Sequence, residues 1–182
     1  MSLELIIGSM YSGKTTELIR RVRRFESIGK RVLVFNHALD TRYGDDVHTH
    51  YGDSTTAIKL HKLGSFDKCF ARYTRKVDVV AIDECQFFPD LVPSVLRMVH
   101  EHKLHVLVVG LNGDYRQQLF GDIFQLLSHA DDIQFCRAYC NGCNDGTLAS
   151  FTKRVDGGEE QVEVKSTYTA VCRACLVKKV IA

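Results

Sequence analysis

The chain has 182 residues, of which 45% are hydrophobic and 25% are charged, with only 2 Pro and 13 Gly. This composition is typical of one compact globular domain with a small appendage, and it excludes a disordered chain or a collagen-like repeat. No apolar run reaches the roughly 18 residues that a membrane-spanning helix needs, and the N-terminus lacks the pattern of a signal peptide. We therefore expect a cytoplasmic protein with no membrane partner.

The first half of the chain alternates between short apolar runs and helical patterns. Residues 3–7 predict a buried strand, and the following helix extends to about residue 28 and stops at Gly29. Residues 31–35 predict a second strand. The polar residues 36–55 predict a long loop, and a loop of this length in a compact domain more often has a functional role than serves only as a connection.

Two further apolar strands, at residues 78–82 and 105–109, flank a helix that begins near Pro89-Asp90. Strands that are apolar on both faces and alternate with helices predict a parallel α/β sheet. The composition then changes, because five of the seven cysteines and several short β-like runs lie in the last quarter of the chain. We therefore predict two domains, an α/β domain over residues 1–138 and a small cysteine-rich, zinc-binding module over residues 139–182.

A complete phosphate-binding loop pattern, Gly-x-x-x-x-Gly-Lys-Thr, connects the first strand to the first helix. Its glycines allow successive backbone N–H groups to face a bound phosphate, and the helix N-terminus adds partial positive charge. Lys14 would reach the β and γ phosphates of ATP, and the Thr15 hydroxyl would bind Mg²⁺. The predicted phosphate-binding residues of this loop are Gly8, Ser9, Met10, Tyr11, Ser12, Gly13, Lys14 and Thr15.

Two carboxylates follow the strand at residues 78–82. Asp83 stands where P-loop proteins carry a Mg²⁺-binding carboxylate. Glu84 beside it can act as a general base toward a water in an ATPase or toward a hydroxyl in a kinase. The pair therefore leaves two function classes open, a kinase and a zinc-containing ATPase that acts on nucleic acid.

Seven cysteines are an odd number for a chain without a secretion signal, so metal binding is a better interpretation than disulfide bonds. Two Cys-x-x-Cys pairs stand 28 residues apart, and four soft thiolates suit a closed, tetrahedral, structural Zn²⁺ site. The predicted ligands are Cys140, Cys143, Cys172 and Cys175. Cys136 is an alternative ligand, while Cys69 and Cys85 are expected to be buried as small apolar side chains.

The formal net charge of +2 gives little support to nucleic-acid binding. A zinc ion bound by four thiolates contributes a net charge of about −2, which cancels that excess. No basic surplus then remains to neutralise the phosphates of a duplex. We therefore expect small-molecule substrates and no nucleic-acid partner.

Four features occur together along the chain: the phosphate loop, Asp-Thr-Arg-Tyr at residues 40–43, the run Asp-Glu-Cys-Gln-Phe-Phe-Pro-Asp at residues 83–90, and the paired cysteines. This combination resembles the type II thymidine kinases, the family of cytosolic cellular and poxvirus enzymes. The run at residues 83–90 is its most discriminating part. The resemblance implies Mg²⁺-dependent transfer of the γ-phosphoryl group of ATP to the 5′-hydroxyl of thymidine, giving dTMP and ADP.

The resemblance also implies roles for individual residues. Glu84 would be the base on the 5′-hydroxyl, while Asp40 and Arg42 would lie beside the phosphates and Mg²⁺. A lasso-like loop on the zinc module would close over the nucleoside. The implied substrate-binding residues are Met10, Phe87, Tyr115 and Phe120, with Val162, Val164 and Tyr168 in the lasso. The family further implies a homotetramer and feedback inhibition by dTTP.

The chain departs from the family pattern at several positions. Ser9 stands where a Pro is usual, Cys85 stands where Gly or Ala is common, and Tyr115 replaces a usual Phe. The segment between Val164 and Tyr168 is also shorter than the glycine-containing loop of the family. The shortened segment concerns the individual lasso contacts and spares the phosphate chemistry.

Overall fold

A computed structural model describes residues 1–40, 46–48, 54–70, 76–156 and 167–177. Its strands are β1 (Ser2–Gly8), β2 (Val32–His37), β3 (Asp46–His48), β4 (Ser54–Thr56), β5 (Ile58–Leu60), β6 (Val79–Ile82), β7 (His105–Leu111), β8 (Asp132–Cys136), β9 (Ala138–Tyr139), β10 (Leu148–Ala149), β11 (Phe151–Arg154) and β12 (Tyr168–Val171). Its α-helices are α1 (Lys14–Ser27), α2 (Phe66–Phe70), α3 (Leu91–His100) and α4 (Arg173–Val177), and 3₁₀ segments cover Leu63–Ser65, Cys85–Phe87 and Ile123–His129.

A six-stranded sheet forms the centre of the fold, in the order β5-β2-β6-β7-β1-β8. Every neighbouring pair in it is parallel, which confirms the predicted parallel α/β architecture. In a parallel sheet the carboxyl ends of all strands meet at one edge, and open α/β folds bind their ligands there. The phosphate loop follows β1 at this edge, and Asp83 and Glu84 follow β6.

Both faces of the sheet are buried, as the unbroken apolar runs predicted. Along β6, Val79 and Ala81 pack on the side of α1, while Val80 and Ile82 pack on the side of α3. Burial on two faces holds the strand ends firmly in place, because a core packed at crystal-like density resists displacement.

Helix α1 extends from the phosphate loop and buries Leu18, Ile19 and Val22 against the sheet. Gly29 adopts a φ of 75°, and its N–H donates to the carbonyl of Glu26. A left-handed residue at this position costs little only for glycine, so the helix ends where the sequence predicted.

The predicted long loop at residues 36–55 is only partly correct. Strand β2 continues to His37, two residues beyond its predicted end, and β3 and β4 pair as an antiparallel ladder inside the segment. Polar residues do not prevent pairing of this kind, because backbone groups make the ladder bonds.

The chain leaves the large sheet after Cys136 and enters two small antiparallel pairs, β9–β10 and β11–β12. A separate small apolar cluster holds these strands together with α4. Within the described residues, no helix has both the length and the apolar character that crossing a membrane requires.

Candidate active site

The phosphate loop curls tightly between β1 and α1. The ammonium of Lys14 donates to the carbonyl oxygen of Ser9 at 2.7 Å, and the hydroxyl of Ser12 donates to the same oxygen at 2.8 Å. Gly13 precedes the helix with a φ of 79°. At Gly8 a side chain would collide with the backbone carbonyl of Cys136, so the loop requires glycine at both positions.

Thr15, in the first turn of α1, contacts Asp83, which follows β6, although β7 separates β6 from β1 in the sheet. The hydroxyl of Thr15 donates to Oδ2 of Asp83 at 3.1 Å, and Asp83 is only 4% exposed. Burial, together with the neighbouring Glu84 carboxylate, raises the pKa of Asp83 to about 7. A divalent cation would reverse this effect, since it favours the ionised form, so the pair fits the hydroxyl and carboxylate ligands of Mg²⁺.

Glu84 lies directly after Asp83 in a left-handed conformation, with a φ of 50°. Such a conformation is uncommon for a residue with a side chain and is found more often at functional sites. The amide of Gln86 donates to Oε2 of Glu84 at 2.5 Å. The carboxylate proposed as the base is therefore held by a side chain of the 3₁₀ segment that follows it.

Gln86 is a site residue that the sequence reasoning did not single out. It is 5% exposed, and its side-chain Oε1 accepts from the backbone N–H of Leu111 at 3.3 Å, which ties Glu84 through Gln86 to the end of β7. The only sequence feature that marks Gln86 is its position in the Asp-Glu-x-Gln run. The spacing of that run does not show which group the Gln86 amide contacts.

An aromatic wall lies next to the carboxylates. The rings of Phe87 and Phe120 meet edge to face with centroids 5.5 Å apart. The ring of buried His37, at the end of β2, has its centroid 5.7 Å from that of Phe87 and was not foreseen as a neighbour. Two of the predicted nucleoside-pocket residues, Phe87 and Phe120, are thus adjacent, and Phe87 also has His37 as a neighbour.

The zinc module reaches the phosphate loop through β10 and β11. The backbone N–H of Met10 donates to the hydroxyl of Thr152 at 3.0 Å, and the hydroxyl of Ser9 donates to the carbonyl of Ala149 at 3.4 Å. Thr152 is buried. A residue of the zinc module therefore positions the backbone of Met10. No local pattern in the sequence reveals this contact.

Tyr115 and Tyr168 also meet across the two modules, with ring centroids 6.5 Å apart. Asp40 lies in the turn after β2, where Oδ2 accepts from the side chain of Asn36 at 3.0 Å. The predicted roles of Arg42, Val162 and Val164 fall on positions outside the described residues.

The four predicted zinc ligands form one cluster, in which all sulfur atoms lie within 4.8 Å of one another. The Sγ of Cys143 is 3.7 Å from that of Cys172 and 3.6 Å from that of Cys175. Four sulfurs at 2.3 Å from one tetrahedral zinc ion would be about 3.8 Å apart, so the cluster fits Zn²⁺. The backbone N–H of Cys172 donates to Sγ of Cys140 and lowers the pKa of that thiol to about 6, which favours the thiolate ligand.

The other three cysteines lie away from this cluster. Cys136 is in β8, where it packs in the core beside α1, so the alternative of Cys136 as a ligand is not supported. Cys85 is fully buried, and burial raises the pKa of its thiol. Cys69 packs at the margin of the core on the side of α3. Cys85 is therefore buried as expected, whereas Cys69 is only partly buried.

Comparison with known proteins agrees with this geometry. A family model described as thymidine kinase matches residues 1–176. Proteins named thymidine kinase from Bacteroides thetaiotaomicron and fowlpox virus are each 37% identical to this chain, covering 97% and 96% of it and 87% and 96% of their own lengths. A monkeypox virus thymidine kinase is 35% identical, over 96% of both chains.

A solved structure of the Thermotoga maritima RuvB Holliday junction branch migration motor aligns with 76% of this chain and 39% of its own, with a TM-score of 0.45 and 15% identity. That likeness carries no weight for function. The match over nearly the whole chain, at more than a third identity, is decisive for the family. The chain belongs to the thymidine kinase family.

Proposed function

We propose that this protein transfers the γ-phosphoryl group of ATP to the 5′-hydroxyl of thymidine, giving dTMP and ADP. The observation that carries the proposal is the position of Glu84. Its carboxylate accepts a hydrogen bond from the side chain of Gln86, and it directly follows Asp83, which pairs with Thr15, and precedes the 3₁₀ segment that carries Phe87. Membership of the thymidine kinase family supports the choice of nucleoside.

In the proposed reaction Glu84 accepts the proton of the 5′-hydroxyl as the sugar oxygen bonds to the γ-phosphorus. The bond from that phosphorus to the β–γ bridging oxygen breaks, and ADP leaves with the electron pair. Lys14 and the N–H groups of the phosphate loop stabilise the charge on the transferred group. Catalysis then depends mainly on alignment, because phosphoryl transfer needs little covalent help from the protein.

Two metal ions belong to the proposal. Thr15 and Asp83 would hold Mg²⁺, with Asp40 and Arg42 nearby as the resemblance implies, and the ion would neutralise phosphate charge. The cysteine cluster would hold one structural Zn²⁺. The proposed domain boundary near residue 138 fits this division, since the large sheet ends at Cys136 and the small strands begin at Ala138.

Cytoplasmic location, a homotetramer and inhibition by dTTP complete the proposal and rest on the family resemblance. Size-exclusion chromatography with light scattering, with and without dTTP, tests the tetramer. Kinetics over a range of dTTP concentrations test the inhibition.

The experiment that tests the activity measures ADP release with Mg-ATP and a panel of nucleosides. We expect release with thymidine, little release without a nucleoside, and loss of activity in Lys14→Ala. The matched control is Lys30→Ala, because Lys30 pairs with Asp78 at the opposite edge of the sheet. ADP release that ignores nucleosides and responds to DNA would instead favour the nucleic-acid ATPase.

A further inference from the structure

Strand β11 presents two side chains to the nucleotide-binding part of the molecule. Thr152 and Arg154 are two residues apart, so they share one face of the strand. Thr152 holds the backbone of Met10, as described above. The guanidinium of Arg154 lies 5.6 Å from the ring centroid of Tyr115 and 6.0 Å from that of Tyr168. Arg154 therefore bridges the two aromatic side chains that meet across the modules.

The side chain of Arg154 is only 4% exposed, so its charge needs a partner. Asp156 provides one, since its Oδ1 accepts from Nε of Arg154 at 2.5 Å. The other oxygen of Asp156 accepts from the backbone N–H of Thr167 at 2.7 Å. One carboxylate thus joins the strand that carries Arg154 to the residue that precedes Tyr168.

This contact lies at the last pair of the β11–β12 ladder, where Arg154 is opposite Tyr168. A further backbone bond runs from the N–H of Val155 to the carbonyl of Thr167 at 3.0 Å. Among the described residues, the β11–β12 ladder has no residue pair beyond Arg154 and Tyr168. The carboxylate of Asp156 is therefore placed to decide how firmly the start of β12, and with it Tyr168, is fixed.

We propose that Asp156 and Arg154 are positioning residues for nucleoside binding, which hold the ring of Tyr168 against Tyr115. Asp156 balances the buried guanidinium and ties down the backbone before Tyr168. Arg154 in turn contacts the faces of both tyrosine rings, a favourable arrangement for a cation. The inference rests on the proposed function, because it assigns Tyr168 to the thymidine side of the site.

The test compares steady-state kinetics of Asp156→Ala and Asp156→Asn with those of the parent. Asparagine can still accept from Thr167 but cannot balance the charge of Arg154, so its effect should be the smaller one. Loss of a charge-assisted hydrogen bond should raise KM for thymidine by about ten-fold in Asp156→Ala. The KM for ATP and the zinc content should stay at the parent values.

Asp78→Ala is the matched control. Asp78 also joins a backbone N–H, that of Arg31, to a basic side chain, that of Lys30, but at the opposite edge of the sheet. It should leave KM for thymidine unchanged.

A KM for thymidine within about two-fold of the parent in Asp156→Ala would overturn the inference. Equal rises in KM for thymidine and ATP would also overturn it, because they would indicate a general structural role. If Asp156→Ala loses its zinc, Asp156→Asn decides by the same criteria. A parent that phosphorylates no nucleoside would refute the proposed function itself.

Discussion

Gly110, near the end of β7, offers a sharp test of how the base is supported. A Cβ added there would approach Sγ of Cys85 closer than real contacts allow, and would lie 3.1 Å from Oε1 of Gln86. The φ of Gly110 is outside the left-handed region, so alanine causes no backbone strain. The whole cost of Gly110→Ala should therefore come from overpacking.

Overpacking of this kind costs about 2–3 kcal/mol. For a chain of this size that free energy lowers the unfolding temperature by about 4–12 °C. Because Cys85 supplies the collision, Cys85→Ala should relieve it, although alone it costs about 1 kcal/mol for a smaller buried side chain. The loss of unfolding free energy in the double variant should therefore be smaller, by about 1–2 kcal/mol, than the sum of the losses in the two single variants.

Urea unfolding of the parent, both single variants and the double variant measures this coupling. The same displacement should push Gln86 away from Glu84, so kcat should fall in Gly110→Ala and partly recover in the double variant. Additivity within about 0.5 kcal/mol would refute the reasoning, since it would mean that the sulfur is not the obstacle.

Three further predictions follow from the site and its surroundings. Glu84→Gln should lower kcat by about 10²- to 10⁴-fold in steady-state assays while Mg-ATP binding by calorimetry stays near normal, and a near-normal kcat would remove Glu84 from the mechanism. Replacing Cys172 and Cys175 by Ser should reduce zinc from about one ion per chain to little, measured by elemental analysis, and should abolish thymidine binding. The hydrogen bond from Arg20, aided by Arg21, lowers the pKa of Glu17 from 4.5 to about 2. The ionised form is therefore favoured in the folded state, and Glu17→Gln should cost about 1 kcal/mol above about pH 5, a difference that should vanish in unfolding experiments as the pH falls toward 2.

The sequence predicted those parts of the fold that depend on local pattern. The apolar run of β6 and the glycines of the phosphate loop specify a strand and a turn from neighbouring residues alone. The cysteine pairs were also readable, because each pair supplies its two ligands from one tight turn. Strand β8 was missed, since Ile133 and Phe135 are exposed at the edge of the sheet and give no buried apolar run.

The contacts that position the site could not be read in the same way. Thr152 meets Met10 across 142 positions of the chain, and a single threonine in a strand has no spacing that marks it. Gln86 was visible within a motif, but its contact with Glu84 depends on the 3₁₀ turn and on the left-handed φ of Glu84. The roles of such residues appear only when the backbone path is known.

These long-range contacts change what the zinc site is expected to do. Beside the bonds to Ser9 and Met10, the amide of Asn112 at the end of β7 donates to the carbonyl of Ser150 at 3.0 Å. All three contacts come from residues 149–152, within the segment that the two cysteine pairs enclose. The zinc module has only a small apolar cluster of its own, so loss of zinc should disorder it. The phosphate loop would then lose its contacts with residues 149–152, and the proposed nucleoside pocket would lose Tyr168. Mg-ATP binding should survive in the Cys172/Cys175 variant, since Lys14 and Thr15 in α1 and Asp83 after β6 are held by the core of the α/β domain, but it should weaken by a few-fold. ATP affinity equal to that of the parent would mean that the contacts of Ser9 and Met10 contribute nothing to the loop.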